Sequence, residues 1–241
     1  MNSIAVGGRE EGKSTLALFL AYTTHKAVFV FDPRGMFSGH VVNSPDELSE
    51  AIDERIYEDG EPIVYRFDSA DPNAIETAFE DMCSVLFPPQ FTKGGFALIV
   101  DEAGELQAAN SINPALRRAI AQHPTKGLER VHIVQTSHRL AEYHGKVKTC
   151  LNDLYIFRTK NPRDHAALVD FTGEPELVEI VSELPKHHLI HYKFARQDNG
   201  VPQFDLWDDP ARWYIEIAPE AKDVNDLRSQ EVHGNLPTMV Q

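Results

Sequence analysis

Residues 7–15 read GGREEGKST, and this stretch decides the class of fold. Gly7, Gly12, Lys13 and Ser14 fill the four fixed positions of the phosphate-binding loop GxxxxGK[ST]. Residues 3–6 have the character of a short strand that enters the loop, and residues 13–22 resemble the start of a helix that leaves it. The motif requires this order of strand, loop and helix, so the sequence predicts a binding site for a nucleoside triphosphate.

The whole loop supplies the predicted nucleotide-binding residues. Its glycines let backbone N–H groups close around the phosphates, Lys13 reaches the β and γ oxygens as a catalytic cation, and the Ser14 hydroxyl is a ligand for Mg²⁺. Arg9 and Glu10 occupy variable positions, are expected to point outward and have no chemistry assigned to them. The predicted set is Gly7, Gly8, Arg9, Glu10, Glu11, Gly12, Lys13, Ser14 and Thr15.

Residues 96–102 read FALIVDE, an apolar run typical of a buried strand that ends in two carboxylates. We expect Asp101 to hold Mg²⁺ through water and Glu102 to orient or deprotonate the attacking water. Taken alone, a strand that ends in two acids is more often a solvated turn. About ninety residues after a complete phosphate-binding loop, the same pattern favours a site of hydrolysis.

Apolar runs alternate with helical patterns along the chain, which predicts an α/β fold with a mostly parallel central sheet flanked by helices. The predicted strands are 3–6, 27–31, 63–67, 96–100, 131–136, 154–157 and 189–194. The predicted helices are 13–22, 45–57, 73–86, 114–122, 162–171 and 175–182. The aromatic residues Phe194, Phe204, Trp207, Trp213 and Tyr214 alternate with polar ones, and we interpret them as packing in a closing strand. We predict one domain, residues 1–218, followed by a polar segment, residues 219–241, that is either a mobile tail or becomes ordered on a partner.

The composition favours a cytoplasmic globular protein. With 241 residues, 42% hydrophobic and 25% charged, the chain is long enough and apolar enough to bury a core. The first strand leaves no room for a signal peptide before it, and no apolar run is long enough to span a membrane. Cys83 and Cys150 are expected to be reduced thiols.

The charge distribution does not decide whether the protein binds nucleic acid. The formal net charge of −14 argues against nucleic acid, which is bound by Lys and Arg. Residues 138–163, however, hold six basic residues against two acidic ones. This stretch is either a solvated face or a path for DNA, for which the candidate contacts are Arg139, Lys146, Lys148, Lys160 and Arg163.

Four features together resemble the FtsK–HerA superfamily of DNA-pumping P-loop ATPases. They are the loop close to the amino terminus, VFVFDPRG at 28–35, LIVDEA at 98–103 and HIVQTSHRL at 132–140. The likeness spans residues 1–195 and is greatest to the genome-packaging ATPases of tailless, membrane-containing viruses. His138 stands where many relatives have Gln, and Leu140 where many have Pro.

This resemblance implies a RecA-like core that hydrolyses ATP with Mg²⁺ and moves DNA, expected to be double-stranded, through a homo-oligomeric ring. Capsid or membrane portal proteins are then further partners, and the host cytoplasm or a virion vertex is the expected location. It also implies a polar sensor of the γ-phosphate after the strand at 131–136, for which Gln135, Ser137 and His138 stay open. An arginine supplied by a neighbouring subunit is implied as well, with Arg117 and Arg118 as the first candidates and Arg139 as the next.

Two other functions share the phosphate-binding loop. A P-loop kinase would phosphorylate a small molecule and needs a basic lid and an acceptor pocket, whereas the Asp-Glu pair is suited to activating water. A nucleotide-dependent phage assembly ATPase of the Zot type would carry both motifs but ordinarily has a membrane span.

Overall fold

The computed structural model describes residues 1–67, 69, 71–87, 95–108, 111–121, 131–194 and 203–208. The strands are β1 Asn2–Val6, β2 Val28–Asp32, β3 His40–Val42, β4 Ile63–Arg66, β5 Phe96–Val100, β6 Gln107–Ala108, β7 Ser111–Ile112, β8 Val131–Ser137, β9 Asp153–Phe157, β10 Leu189–Lys193 and β11 Gln203–Trp207. The helices are α1 Lys13–Thr24, α2 Pro45–Asp53, α3 Pro72–Leu86, α4 Pro114–Ala121, α5 Gly145–Lys148, α6 Pro162–Thr172 and α7 Leu177–Glu183.

Within these residues the strands form one large sheet in the order β11-β10-β9-β1-β8-β5-β2-β4-β3, and β6 pairs with β7 in a small hairpin. Strands β9 to β3 in this order are all parallel, and β10 runs antiparallel to both β9 and β11. The predicted α/β fold with a mostly parallel sheet is confirmed.

Strand β5 is apolar throughout, and β2 is apolar up to its last residue, Asp32, because both faces of the sheet are covered. On one face, Ala5 and Val30 pack with Leu16 and Ala17 of α1. On the other face, alternate residues of the same strands, such as Phe29, pack in a larger cluster with residues of α2, α3, α4, α6 and α7. Burial on both sides explains why these strands read as continuous hydrophobic runs rather than as alternating ones.

Helix starts follow the sequence signals closely. The Ser44 hydroxyl accepts a hydrogen bond from the Glu47 N–H at 3.2 Å, and Pro45 takes the first helical position of α2. The Asn161 side chain accepts from the Arg163 N–H at 2.9 Å, with Pro162 at the first position of α6. Both are the expected combination of a capping side chain and a proline that has no N–H to satisfy.

Several boundaries differ from the prediction for local reasons. Helix α2 ends at Asp53 rather than near residue 57 because Arg55 takes a left-handed backbone conformation, with φ of 61°, and a 3-10 turn follows. Strand β3 was not predicted. It has only three residues and lies at the edge of the sheet, where His40 and Val41 are exposed and give no apolar run.

The predicted closing strand is present as β11, whose Trp207 packs on Tyr155 and His191. Trp213, Tyr214, the boundary at residue 218 and the polar tail lie outside the described residues. None of the helices in the described ranges is both long and apolar enough to cross a membrane.

Gly7 joins β1 to the phosphate-binding loop at a point of close packing. A Cβ atom at this position would lie 2.5 Å from the Cβ of Phe157 in β9. Only a residue without a side chain allows the two backbones to approach this closely.

We therefore expect Gly7→Ala to lower the free energy of unfolding by about 1–3 kcal/mol, since the new methyl group forces the loop away from β9. Gly145→Ala is the matched control, because its Cβ would meet nothing within 4 Å. Urea unfolding of both variants measures the difference. Equal stability of the two variants would contradict the packing argument.

Candidate active site

The carboxyl ends of three parallel strands meet where the motifs predicted a site. Strand β1 continues into the phosphate-binding loop, β8 is its neighbour, and β5 lies beyond β8. The Gly7 N–H donates to the Ser137 carbonyl at 3.4 Å, which ties the start of the loop to the end of β8. The order of the sheet therefore brings residues 7, 101 and 137 together although they are far apart in the chain.

The Lys13 ammonium is enclosed by its own loop. It donates to the carbonyls of Gly7 at 3.0 Å and Gly8 at 2.8 Å. Lys13 as a whole is only 8% exposed. Burial lowers the pKa of Lys13, and the negative charges of Glu102 and Asp101 partly offset this effect. Next to it, Gly12 begins α1 with φ of 103°, a conformation that favours glycine.

Asp101 is held by a residue that the sequence analysis did not single out. The Thr136 hydroxyl donates to Asp101 Oδ1 at 2.5 Å, and the Glu102 N–H donates to the same hydroxyl at 3.3 Å. Burial raises the pKa of Asp101, while the hydrogen bond from Thr136 acts in the opposite direction. In the β5–β8 register Val100 is opposite Gln135, so the next pair is Asp101 and Thr136.

Asp101 and Ser14 suit Mg²⁺, because both offer the hard oxygen ligands that this ion takes. The carboxylate of Asp101 is buried and its pKa is raised, so a cation beside it would replace water as the partner of its negative charge. Ser14 lies in the first turn of α1, directly after Lys13.

Glu102 and Lys13 are linked through His138. Glu102 Oε1 lies 2.8 Å from His138 Nε2, and Lys13 Nζ lies 3.3 Å from His138 Nδ1. Burial and the positive charge of Lys13 lower the pKa of His138. A neutral imidazole satisfies both contacts at once if Nε2–H donates to the carboxylate and Nδ1 accepts from the ammonium.

The Glu102 carboxylate is tuned for proton transfer. Its pKa is raised to about 7, first by burial and next by the negative charge of Asp101. A carboxylate with this pKa is close to the optimum for a general base at neutral pH. Its backbone is also unusual, since φ is 49° in a residue other than glycine.

The three sensor candidates lie in different surroundings. His138 touches Lys13 and Glu102, whereas the Ser137 hydroxyl donates to Glu142 at 2.6 Å. Gln135 is fully buried and accepts from Gln107 at 3.4 Å. Alternation along β8 explains this separation, since residues 135 and 137 face one side of the sheet and Thr136 faces the other.

The DPRG turn that supported the family resemblance is held by its first residue. Asp32 accepts from the N–H groups of Met36 at 2.9 Å and Phe37 at 3.0 Å, and forms an ion pair with Arg66 at 3.2 Å. Arg34 of the same turn forms an ion pair with Glu105, three residues after Glu102. The turn thus packs beside the segment that carries the two acids.

Within the loop, the structure places the variable residues differently from one another. Arg9 and Glu10 are exposed, while Glu11 is 7% exposed and forms an ion pair with Arg158 at 3.2 Å. Ser14 and Thr15 are half-buried in the first turn of α1.

The candidate arginines on α4, Arg117 and Arg118, are exposed on the surface of that helix. Arg139 is also exposed and directly follows His138. All three side chains are accessible to a neighbouring subunit.

The basic residues of the stretch 138–163 lie at two opposite ends of the strands. Arg139, Lys160 and Arg163 are exposed at the carboxyl edge, after β8 and β9. Lys148 is at the opposite edge, where its ammonium donates to the carbonyl of Asp170 in the last turn of α6. Lys146 belongs to the same short helix as Lys148, α5, and its side chain lies outside the described set.

Comparisons with solved structures place this fold among the P-loop NTPases. The chain superposes on the genome-packaging NTPase B204 of Sulfolobus turreted icosahedral virus 2 in complex with ATP-gammaS with a TM-score of 0.62 and 16% identity, over 84% of this chain and 95% of the other. It matches VirB4 of Thermoanaerobacter pseudethanolicus with a TM-score of 0.60 and 12% identity, over 86% and 88% of the two chains.

The fold is that of a P-loop NTPase. The P-loop fold that the motif resemblance implied is confirmed. No family model and no curated protein sequence matches the chain.

The raised pKa of Glu102 makes the stability of the unliganded protein depend on pH. The folded state binds this proton more tightly than the unfolded chain, in which the pKa is 4.5. The contribution of Glu102 to stability is therefore complete below about pH 4.5 and is lost as the pH rises through about 7. Gln resembles the protonated acid, so Glu102→Gln should raise the melting temperature more at pH 8 than at pH 5. An equal rise in melting temperature at the two pH values would show that the pKa of Glu102 is not raised in the folded protein.

Proposed function

We propose that the protein is an ATP-driven DNA translocase of the genome-packaging kind, which hydrolyses ATP at the carboxyl edge of β1, β5 and β8. The observation that carries this proposal is the position of Glu102, joined through His138 to the lysine of the phosphate-binding loop. A carboxylate next to the cation that receives the γ-phosphate is placed to activate water against that phosphate.

The residues of the site divide the work of hydrolysis. Lys13 exchanges the carbonyls of Gly7 and Gly8 for the β and γ oxygens of ATP. Ser14 and Asp101 would hold Mg²⁺, which would neutralise charge on the phosphates. Glu102 takes a proton from the attacking water, and Thr136 keeps Asp101 in place through its hydroxyl.

His138 is the sensor that this geometry favours. Its two ring nitrogens already contact the groups that meet the γ-phosphate and the water. A phosphate that draws Lys13 away from His138 leaves the imidazole free to reorient and with it the Glu102 carboxylate. Gln135 and Ser137 hydrogen-bond to other partners, so they fit this role less well.

The same geometry favours a hydrolase over a small-molecule kinase. A kinase must keep water from the γ-phosphate, whereas here a base with a pKa of about 7 borders the loop. The coupling to DNA is supported by the likeness to a structural neighbour, the DNA-packaging ATPase B204 of Sulfolobus turreted icosahedral virus, which superposes with a TM-score of 0.61 and 16% identity over 84% of this chain and 95% of the other.

Assembly into a ring would complete the site. Arg117, Arg118 and Arg139 are exposed, so one of them can reach the γ-phosphate of a neighbouring subunit and neutralise charge in the transition state. Further partners of such a ring are capsid or portal proteins at the vertex where DNA enters.

Hydrolysis is tested by comparing Glu102→Gln with Lys13→Ala. The first variant should bind ATP and release phosphate at least about a hundredfold more slowly than the parent, because only the base is lost. The second should lose ATP binding. Glu105→Gln is the matched control and should hydrolyse ATP normally, since Glu105 pairs with Arg34.

Isothermal calorimetry measures binding, and parallel assays of ADP and free phosphate measure turnover. ADP without free phosphate would indicate a kinase.

We propose that the DNA path lies at the carboxyl end of the parallel strands. Arg139, Lys160 and Arg163 surround the end of the sheet that carries the nucleotide site, whereas Lys148 lies at the other end. Contacts from these side chains would be to phosphates, so DNA binding should be independent of sequence and weakened by salt.

We expect duplex DNA to stimulate ATP hydrolysis in the parent and in Lys148→Glu but much less in Arg163→Glu. Both variants reverse one charge, and an acid in the first turn of α6 is compatible with the helix dipole. Turnover with and without DNA across a salt series makes the comparison. Equal loss in the two variants would indicate a nonspecific effect of charge, and no loss in either would place the DNA path elsewhere.

A further inference from the structure

The proposed base, Glu102, and the proposed sensor, His138, lie on the same flank of the phosphate-binding loop. Glu102 and His138 follow β5 and β8, which are on one side of β1 in the sheet. A triphosphate whose γ end faces Glu102 must extend toward the other flank of the loop. That flank is formed by the end of β9 and, because β10 is antiparallel, by the beginning of β10.

Two residues on this flank are joined to the loop through Glu11. Arg158 Nη2 lies 3.2 Å from Glu11 Oε1, and the His187 N–H donates to Glu11 Oε2 at 3.2 Å. The Glu11 side chain is 9% exposed while that of Arg158 is 37% exposed. The carboxylate is therefore a buried anchor, and the guanidinium at its other end reaches solvent beside the loop.

His187 is held in a strained conformation at this place. It lies in the turn before β10, which is closed by a hydrogen bond from the His188 N–H to the Pro185 carbonyl at 3.2 Å. Its φ is 67°, in the left-handed region that few residues other than glycine adopt. Its Nδ1 atom lies 3.8 Å from the point where a Cβ on Gly12 would be. The imidazole ring of His187 therefore lies beside the phosphate-binding loop, next to Gly12.

We propose that Arg158 and His187 bind the nucleoside part of ATP, with the base stacked on the imidazole ring or the guanidinium plane. Both groups present flat surfaces of the kind that stack on bases, and the guanidinium also has donors for ribose oxygens. The Glu11 carboxylate positions both residues, because it accepts from the Arg158 guanidinium and from the His187 backbone N–H. This proposal rests on the proposed function only in taking ATP as the ligand of the loop.

The test compares ATP with inorganic tripolyphosphate, which carries the phosphates without a nucleoside. Calorimetry in the presence of Mg²⁺ measures both affinities for the full chain and for Arg158→Ala, Arg158→Lys and His187→Gly. Glycine accepts the φ of residue 187 without strain, so this variant removes the ring and preserves the turn. Lys186→Ala is the matched control, an exposed cation of the same turn.

We expect Arg158→Ala and His187→Gly to bind ATP roughly ten- to a hundredfold more weakly and tripolyphosphate as the parent does. Arg158→Lys should keep tripolyphosphate binding and lose part of the ATP affinity, and Lys186→Ala should change neither. Normal tripolyphosphate binding also shows that a variant is folded.

Equal losses for ATP and tripolyphosphate would overturn the proposal and make Arg158 a support of the loop alone. Unchanged ATP affinity in both variants would also overturn it. A parent that binds both ligands equally well contains no nucleoside contact. A parent that binds neither would overturn the nucleotide site itself, which distinguishes that failure from the failure of the nucleoside contact.

Discussion

The buried ammonium of Lys13 is the charge on which the arrangement of the site depends. A cation that is 8% exposed must be compensated by nearby partners, and here carbonyls of its own loop and the nitrogen of His138 provide them. The carboxylates of Asp101 and Glu102 stabilise its charged form, and its charge in turn offsets part of the rise in pKa that burial causes in each of them. Removal of any one of these charges therefore changes the protonation of the others, which is why the site behaves as one unit.

This group of charges can form only because the strands pack closely at their carboxyl ends. The missing side chain of Gly7 lets β1 approach Phe157 on one side, and the Gly7 N–H reaches the end of β8 on the other. Between β1 and β5, strand β8 brings Thr136 next to Asp101. The order of the strands thus brings these charged groups together at one end of the sheet.

The sequence was sufficient for the class of fold and for the residues of the two motifs, because those motifs join a fixed chemistry to a fixed local geometry. It was not sufficient for Thr136, Arg158 or His187. Their roles depend on which strands are neighbours and on the direction of β10, and neither can be read from local periodicity. Alternation along β8 could have separated Thr136 from Gln135 and Ser137, but only the sheet order shows which face meets the loop. The short β3 was missed because an exposed strand of three residues has no apolar signal.

Hydrogen bonds connect the candidate site to the segments that carry the exposed cations Arg139, Lys160 and Arg163. After His138 the chain turns through residues 140–142, where the Ala141 N–H donates to the buried Asp164 of α6 at 3.2 Å. The Thr159 hydroxyl donates to the same carboxylate at 3.4 Å, so the segment that carries Arg139, the segment that carries Lys160 and the helix that carries Arg163 share one buried acid. Because Asp164 cannot leave these partners without a cost in desolvation, displacement of residue 138 must be transmitted to the neighbouring segments or absorbed in the turn itself. The segment that follows His138 and the segments that carry Lys160 and Arg163 are therefore linked through one buried carboxylate, that of Asp164.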